Sequence, residues 1–272
     1  GITSVSGFCN CKNLQEVSLP EGLISLGASA FEGCENLQEI RLPKSLKTLE
    51  EGAIAGCGLT EIELPEGLEK IGMLALAFND NITRIVIPAS VTDLGSGACA
   101  VSNSLEEAEI KGNVPLLYLT FNECPKLRRV VISGSVQGFD NAFDKCRALQ
   151  EVLITGSVET INKSTFYNLD SLERVQITGT LKTIGGAAFQ YCGKLTTVSL
   201  PDGVTTIGEN AFKDCVSLTT INLPDSITTI GAGAFNGTKL TGELNIPSSL
   251  VSLGESAFYC CGGLMGTLVF PG

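Results

Sequence analysis

The chain has 272 residues, of which 43% are hydrophobic and 17% are charged, so it can bury a sizeable core and is not disordered. It contains no His, and without His the Ser–His, Cys–His and His-containing metal sites of most hydrolases and zinc proteins cannot be built. The formal net charge of −11 argues against nucleic acid and anionic membranes as partners, and no apolar run approaches the ~20 residues of a membrane span.

One unit of 22 or 23 residues recurs along the whole chain. The units align on the Phe of SAFEGCENL, and this position, here called the Phe position, is occupied by Phe8, Phe31, Ile54, Leu76, Cys99, Phe121, Phe143, Phe166, Phe189, Phe212, Phe235 and Phe258. Twelve such units leave no room for a second domain. We therefore expect residues 1–272 to form a single repeat solenoid.

Each unit contains a predicted strand of the form L-x-x-I-x-L-P, in which apolar residues such as Val17 and Leu19 alternate with polar ones. So short a strand is stable only when its copies stack, ~4.8 Å apart, into a parallel sheet over one continuous core. The Pro after the strand lacks a backbone donor and ends the ladder. Between residues 99 and 180 this Pro is missing, and the turn is taken by Gly112, Gly134, Gly156 and Gly179.

Two further elements follow the strand in each unit. The first is a second short extended piece, such as residues 204–207. The second is the segment G-x-x-A-F-x-x-C-x-x-L, whose apolar spacing predicts a short helix or 3₁₀ turn that faces the core.

The full unit, L-x-x-I-x-L-P-x-x-L-x-x-I-G-x-x-A-F-x-x-C, resembles the BspA-type leucine-rich repeat, also called the Treponema pallidum type. Residues 28–43 (ASAFEGCENLQEIRLP) and 210–224 (NAFKDCVSLTTINLP) match it nearly position by position. The resemblance implies a leucine-rich repeat solenoid in a secreted or surface-displayed bacterial protein, with some members similar to adhesins. The family has no catalytic motif. Departures from the pattern concentrate at residues 72–143.

Eight of the 11 cysteines lie three residues after the Phe position, in what we call the Cys slot: Cys11, Cys34, Cys57, Cys124, Cys146, Cys192, Cys215 and Cys261. Asn79, Ser102, Leu169 and Thr238 fill this slot in other units, a tolerance that favours a packing role. The alternatives are disulfides between neighbouring units, and a metal or redox role for Cys9 with Cys11 or Cys260 with Cys261. The odd count and the lack of a C-x-x-C pair argue against both.

Alternation along each strand sends two columns of side chains outward. Arg and Glu alternate in the first column from the fourth to the eighth repeat. The simplest explanation is pairing of opposite charges on neighbouring strands, worth ~0.2–1 kcal/mol per pair. Val86, Val131 and Leu153, however, are apolar in a column that is otherwise mostly polar. An apolar centre with a charged rim is typical of a protein-binding patch. The predicted protein-binding residues are Arg84, Val86, Glu107, Glu109, Arg129, Val131, Glu151, Leu153, Arg174 and Gln176.

The patch predicts a protein-binding module, and the family resemblance implies that it acts in adhesion, at the cell surface or in the extracellular space. The expected partner is a host extracellular matrix protein or a bacterial surface protein. The alternative is a structural spacer or stalk that holds other domains away from the cell. Carbohydrate is a weaker candidate because only 6% of residues are aromatic, although the polar run of Ser199, Asn222 and Asn245 keeps it open.

Enzymatic activity, a cofactor and a metal are not expected. Glu61 with Glu63, or Glu107 with Glu109, could imitate a glycosidase pair, but they lie on predicted open strands with no sign of a cleft. The chain start has no signal-peptide pattern and neither end carries the polar cap that solenoids need, so we expect a part excised from a longer surface protein.

Overall fold

A computed structural model describes residues 1–270 of the chain. They fall into two compact units, Gly1–Val136 with Asn141–Cys146, and Gln137–Asp140 with residues 147–270. The strands of the first unit are β1 (Ser4–Val5), β2 (Glu16–Val17), β3 (Ser25–Leu26), β4 (Glu39–Ile40), β5 (Thr48–Leu49), β6 (Lys70–Ile71), β7 (Arg84–Ile87), β8 (Asp93–Leu94), β9 (Glu107–Ile110), β10 (Val114–Tyr118) and β11 (Arg129–Ile132). Strand β12 (Ser135–Asp140) contains residues of both units. The strands of the second unit are β13 (Glu151–Ile154), β14 (Ser157–Val158), β15 (Thr160–Ile161), β16 (Arg174–Ile177), β17 (Thr183–Ile184), β18 (Thr197–Ser199), β19 (Thr206–Ile207), β20 (Thr229–Ile230), β21 (Thr241–Gly242), β22 (Ser252–Leu253) and β23 (Gly263–Leu264).

Strands one repeat apart pair in parallel, which confirms the predicted solenoid of stacked coils. It has about eleven turns of about 23 residues, against the twelve units counted in the sequence. In the first unit, β1, β3, β5, β6 and β8 form one sheet, while β7, β9 and β11 are neighbours in another. In the second unit, β15, β17, β19, β20 and β22 form one sheet, and β13, β16 and β18 are neighbours. Burial alternates along β7, β9 and β16, so the predicted inward and outward rows are confirmed there.

The residue after a strand decides whether the ladder to the preceding coil can be closed. After β9 and β11 this residue closes the ladder to the preceding coil: Lys111 N–H donates to the Ile87 carbonyl at 3.0 Å, and Ser133 N–H donates to the Ile110 carbonyl at 2.9 Å. β7 has four residues although Pro88 follows it, because it pairs with β9, where Lys111 closes the ladder. Pro43 and Pro65 stand at the same place in their units and cannot donate. The strand β4 before Pro43 is accordingly two residues long, and residues 61–64 form no strand.

The segment around the Phe position is a series of turns, so the predicted helix or 3₁₀ turn is wrong; residues 1–270 contain neither. The cause lies in the backbone of two residues, one placed two residues before the Phe position and one placed two residues after it. Both are left-handed in one repeat after another, as in Leu74 (φ 53°) and Phe78 (φ 60°). Alternate N–H groups therefore point to the next coil, and Phe31 N–H, for example, donates to the Ala53 carbonyl at 2.8 Å.

Aromatic rings at the Phe position stack along the core. In the second unit, five rings follow one another at centroid distances of 5.1, 5.0, 5.2 and 5.1 Å: Phe166, Phe189, Phe212, Phe235 and Phe258. In the first unit the row is interrupted by Ile54, Leu76 and Cys99, whose side chains are nevertheless buried. The sequence repeats that depart from the pattern thus keep a closed core, in which aliphatic packing replaces ring stacking.

Candidate functional site

The Cys slot has a structural role that its contacts define. Seven of its thiols donate to the backbone carbonyl at the Phe position of the preceding coil, over 3.0–3.4 Å: Cys34, Cys57, Cys124, Cys146, Cys192, Cys215 and Cys261. That carbonyl also accepts a backbone N–H within its own turn, as when Cys34 N–H donates to Phe31 O at 3.1 Å. Asn79 replaces the thiol with an amide that donates to the Ile54 carbonyl at 3.0 Å. In eight repeats the slot therefore holds a buried donor to the preceding coil, whereas Leu169 fills it with an apolar side chain.

Burial makes these thiols weak acids. It raises the pKa of Cys124 to about 11 and the pKa of Cys57 and Cys192 to about 12, so the S–H donor persists at neutral pH and no thiolate nucleophile forms. All 11 cysteines are free thiols, and Cys9, Cys11 and Cys260 are exposed. Within residues 1–270, no three Cys, Asp or Glu side chains come together as a metal site requires.

The first unit carries six of the predicted protein-binding residues on three adjacent strands. The parallel register places Arg84 and Arg129 on either side of Glu107, and Val86 and Val131 on either side of Glu109. Arg84 lies 3.7 Å from a Glu107 oxygen and 3.3 Å from a Glu109 oxygen. This face therefore combines half-buried valines with charged side chains that are partly paired with each other.

The second unit carries the other four, on β13 and β16. Glu151 is in register with Arg174, whose guanidinium lies 3.9 Å from a carboxylate oxygen, and Leu153 is in register with Gln176. Leu153 is half-buried, and Gln176 is exposed. An aliphatic side chain thus lies beside an amide and an ion pair on this part of the surface.

A groove of about 1140 Å³ in the first unit was not foreseen from the sequence. Glu61 and Glu63 line it, so the expectation that this pair lies on an open strand is wrong. The groove is also lined by parts of 39–44 and by Arg84, Val86 and Pro88. The sequence signal nearest to it is Pro65, which cannot close the ladder after residues 61–64.

The fold and the repeated contacts define a leucine-rich repeat protein, a class that generally binds proteins. The profile of the BspA type leucine-rich repeat region matches residues 3–128 and 137–265, with six copies, and the chain belongs to this family. Across residues 1–270 the structure contains no helix of the length and apolarity that a membrane crossing needs. No curated protein matches the sequence.

Several solved bacterial structures are similar to this chain. A leucine-rich repeat protein from Bacteroides ovatus is 29% identical with a TM-score of 0.54, over 95% of this chain and 80% of that one. The T. pallidum leucine-rich repeat protein is 26% identical with a TM-score of 0.45, over 64% and 69%. A leucine-rich cell surface protein from Faecalibacterium prausnitzii is 24% identical with a TM-score of 0.34, over 95% and 60%. Of these three, the B. ovatus protein alone has a TM-score above 0.5.

Proposed function

We propose that this chain is a non-enzymatic module that binds protein through the outward side chains of its four-residue strands. The observation that carries the proposal is the pair of half-buried valines, Val86 and Val131, set in register among Arg84, Glu107 and Arg129. Apolar side chains desolvate readily on contact, and the surrounding charges supply orientation and specificity. In the second unit, Leu153 beside an ion pair has the same combination.

The partner that fits this surface is a protein, displayed by a host or on a bacterial surface. Membership of the BspA-type family supports display at the cell surface or secretion. Charge alternates between neighbouring parallel strands, which suits a protein partner. Sugar binding usually relies on exposed aromatic rings, and none lies among the ten predicted residues, so a sugar is the less favoured partner.

The second candidate function is that of a spacer or stalk, in which the solenoid separates other domains and its outward residues bind nothing. The regular Phe stack of the second unit favours it, because a uniform core gives a stiff element. The two functions differ in what they require of the surface: a binding module depends on the identity of Val131 and Leu153, whereas a spacer depends only on the core.

The test is capture of extracellular matrix proteins and of bacterial surface proteins by Val131→Asp and Leu153→Asp, singly and combined. We expect the combined variant to lose capture. A matched control, Ser199→Asp with Asn222→Asp, adds the same charge to the outward polar column and is expected to retain it. Far-UV circular dichroism confirms that each variant is folded. Unchanged capture by the combined variant would refute this placement of the site and favour the spacer.

A further inference from the structure

The ladder of the first unit is interrupted at residues 61–64. Strands β4 and β7 lie in the coils before and after this stretch, yet within residues 1–270 no backbone hydrogen bond joins residues 61–64 to either coil. The nearest contact is Thr60 N–H, which donates to the Gln38 carbonyl at 3.3 Å. The equivalent contact of the intact ladder, from Arg128 N–H to the Glu106 carbonyl at 2.8 Å, is followed there by a second one, from Arg129 N–H to the same carbonyl at 3.2 Å, which Glu61 lacks in the described part of the chain. The chain therefore has an open sheet edge inside its own stack.

The open edge belongs to β7. The carbonyls of Thr83, just before β7, and of Ile87, at its end, face β9: Glu107 N–H donates to the Thr83 carbonyl at 3.1 Å, and Lys111 N–H donates to the Ile87 carbonyl at 3.0 Å. Odd-numbered residues of this stretch therefore bond toward β9. Because successive residues of a parallel strand bond to opposite sides, the N–H and C=O groups of Arg84 and Val86 face the groove. Unpaired groups of this kind are a template for an added strand.

The side chains of the groove specify what such a strand would carry. Glu61 and Glu63 are exposed, and no ion pair to either is formed within residues 1–270. The guanidinium of Arg41 lies 2.8 Å from Glu39, and that of Arg84 reaches toward β9. Lys44 also lines the groove, in the turn after Pro43.

The floor of the groove is apolar. Ile62 is half-buried, whereas the residues at the same position in the coils before and after it, Ile40 and Ile85, are 5% and 3% exposed. The lining of the groove spans three successive coils, in residues 39–44, 61–67 and 84–88. An elongated ligand with an apolar side chain among basic ones fits these features.

We propose that the groove binds an extended basic segment of a partner protein, which adds as a strand along the open edge of β7. Backbone pairing to Arg84 and Val86 would hold the segment, as in β-strand addition. Because Glu61 and Glu63 are two residues apart, the matching segment has Lys or Arg two residues apart with an apolar residue between them. This inference rests on the proposed protein-binding function and names the class of partner.

The test is fluorescence anisotropy with a labelled synthetic peptide of alternating Lys and Val. We expect binding that weakens about tenfold in the Glu61→Gln/Glu63→Gln variant and falls with added salt. The control variant Glu16→Gln/Glu21→Gln removes the same charge from exposed positions of the same unit, and its affinity should stay within about twofold. A peptide with Glu in place of Lys should not bind. Hydrogen exchange should show new protection of the Arg84 and Val86 amides in the complex.

Equal affinity in the Glu61→Gln/Glu63→Gln variant, or no binding of the basic peptide to the native chain, would overturn the inference. Its failure is separable from that of the proposed function. If the Val131→Asp/Leu153→Asp variant loses protein capture while the basic peptide does not bind the native chain, the outward face stands and the groove proposal falls. If the peptide binds the native chain while the Val131→Asp/Leu153→Asp variant captures protein normally, the groove proposal stands and the outward-face proposal falls.

Discussion

Replacing Phe189 with Ala should interrupt the aromatic stack of the second unit. The Phe189 side chain is fully buried, and its ring centroid lies 5.1 Å from that of Phe166 and 5.0 Å from that of Phe212. A buried Phe removes ~200 Å² from water, worth about 5 kcal/mol at ~25 cal/mol/Å², of which Ala retains a part. Because the substitution also abolishes the stacking on both neighbouring rings and leaves a cavity, we expect the free energy of unfolding to fall by about 4 kcal/mol.

The assay is urea unfolding followed by far-UV circular dichroism, with two matched variants. Phe189→Leu keeps most of the volume and should cost about 1.5 kcal/mol. Phe8→Ala truncates the same repeat position where the ring is 45% exposed and stacks on Phe31 alone, at 5.5 Å, so it should cost less than half as much as Phe189→Ala. A loss below about 1 kcal/mol for Phe189→Ala, or equal losses for Phe189→Ala and Phe8→Ala, would refute the stacked-core reasoning.

Two further predictions concern the thiols and the close-packed glycines. Because burial raises the pKa of Cys57 and of Cys192 to about 12, whereas the ordinary thiol pKa is 9.0, the unfolded chain releases these protons first as pH rises. Their contribution to stability is complete below pH 9 and is lost between pH 9 and about 12, at about 1.4 kcal/mol per thiol for each pH unit. Urea midpoints between pH 8 and 10.5 should fall less steeply in Cys57→Ser/Cys192→Ser, and an unchanged slope would contradict this cause. Gly179→Ala should lower the melting temperature sharply, because an added Cβ would overlap the Gly156 carbonyl oxygen, whereas Gly193→Ala, with its nearest atom at 3.9 Å, should change it little. Equal melting temperatures for the two variants would contradict the close approach.

The solenoid, and which side chains of each strand face the core, could be predicted from the sequence because the same apolar positions recur in each repeat. The row that contains Ala108 and Ile110 is buried as expected, and Glu107 and Val131 lie on the outward side. The turn conformation could not be predicted, because left-handed backbone falls on residues such as Leu74, which carry no glycine signal.

The groove escaped prediction for a different reason. Residues 61–65 (EIELP) have nearly the same sequence as residues 39–43 (EIRLP), and both lack a donor after the strand. The sequence pattern therefore does not distinguish the coil that stays paired from the coil that separates. Local propensity marks Pro as the end of a ladder, but which coil opens depends on the packing of its neighbours.

The central claim is that the outward side of the four-residue strands is the binding surface. Hydrogen–deuterium exchange of the chain with a captured partner protein tests it most directly. We expect new protection in β7, β9 and β11 of the first unit and in β13 and β16 of the second, with the turns around the Phe position unchanged. Protection confined to those turns, with the strands unaffected, would contradict it.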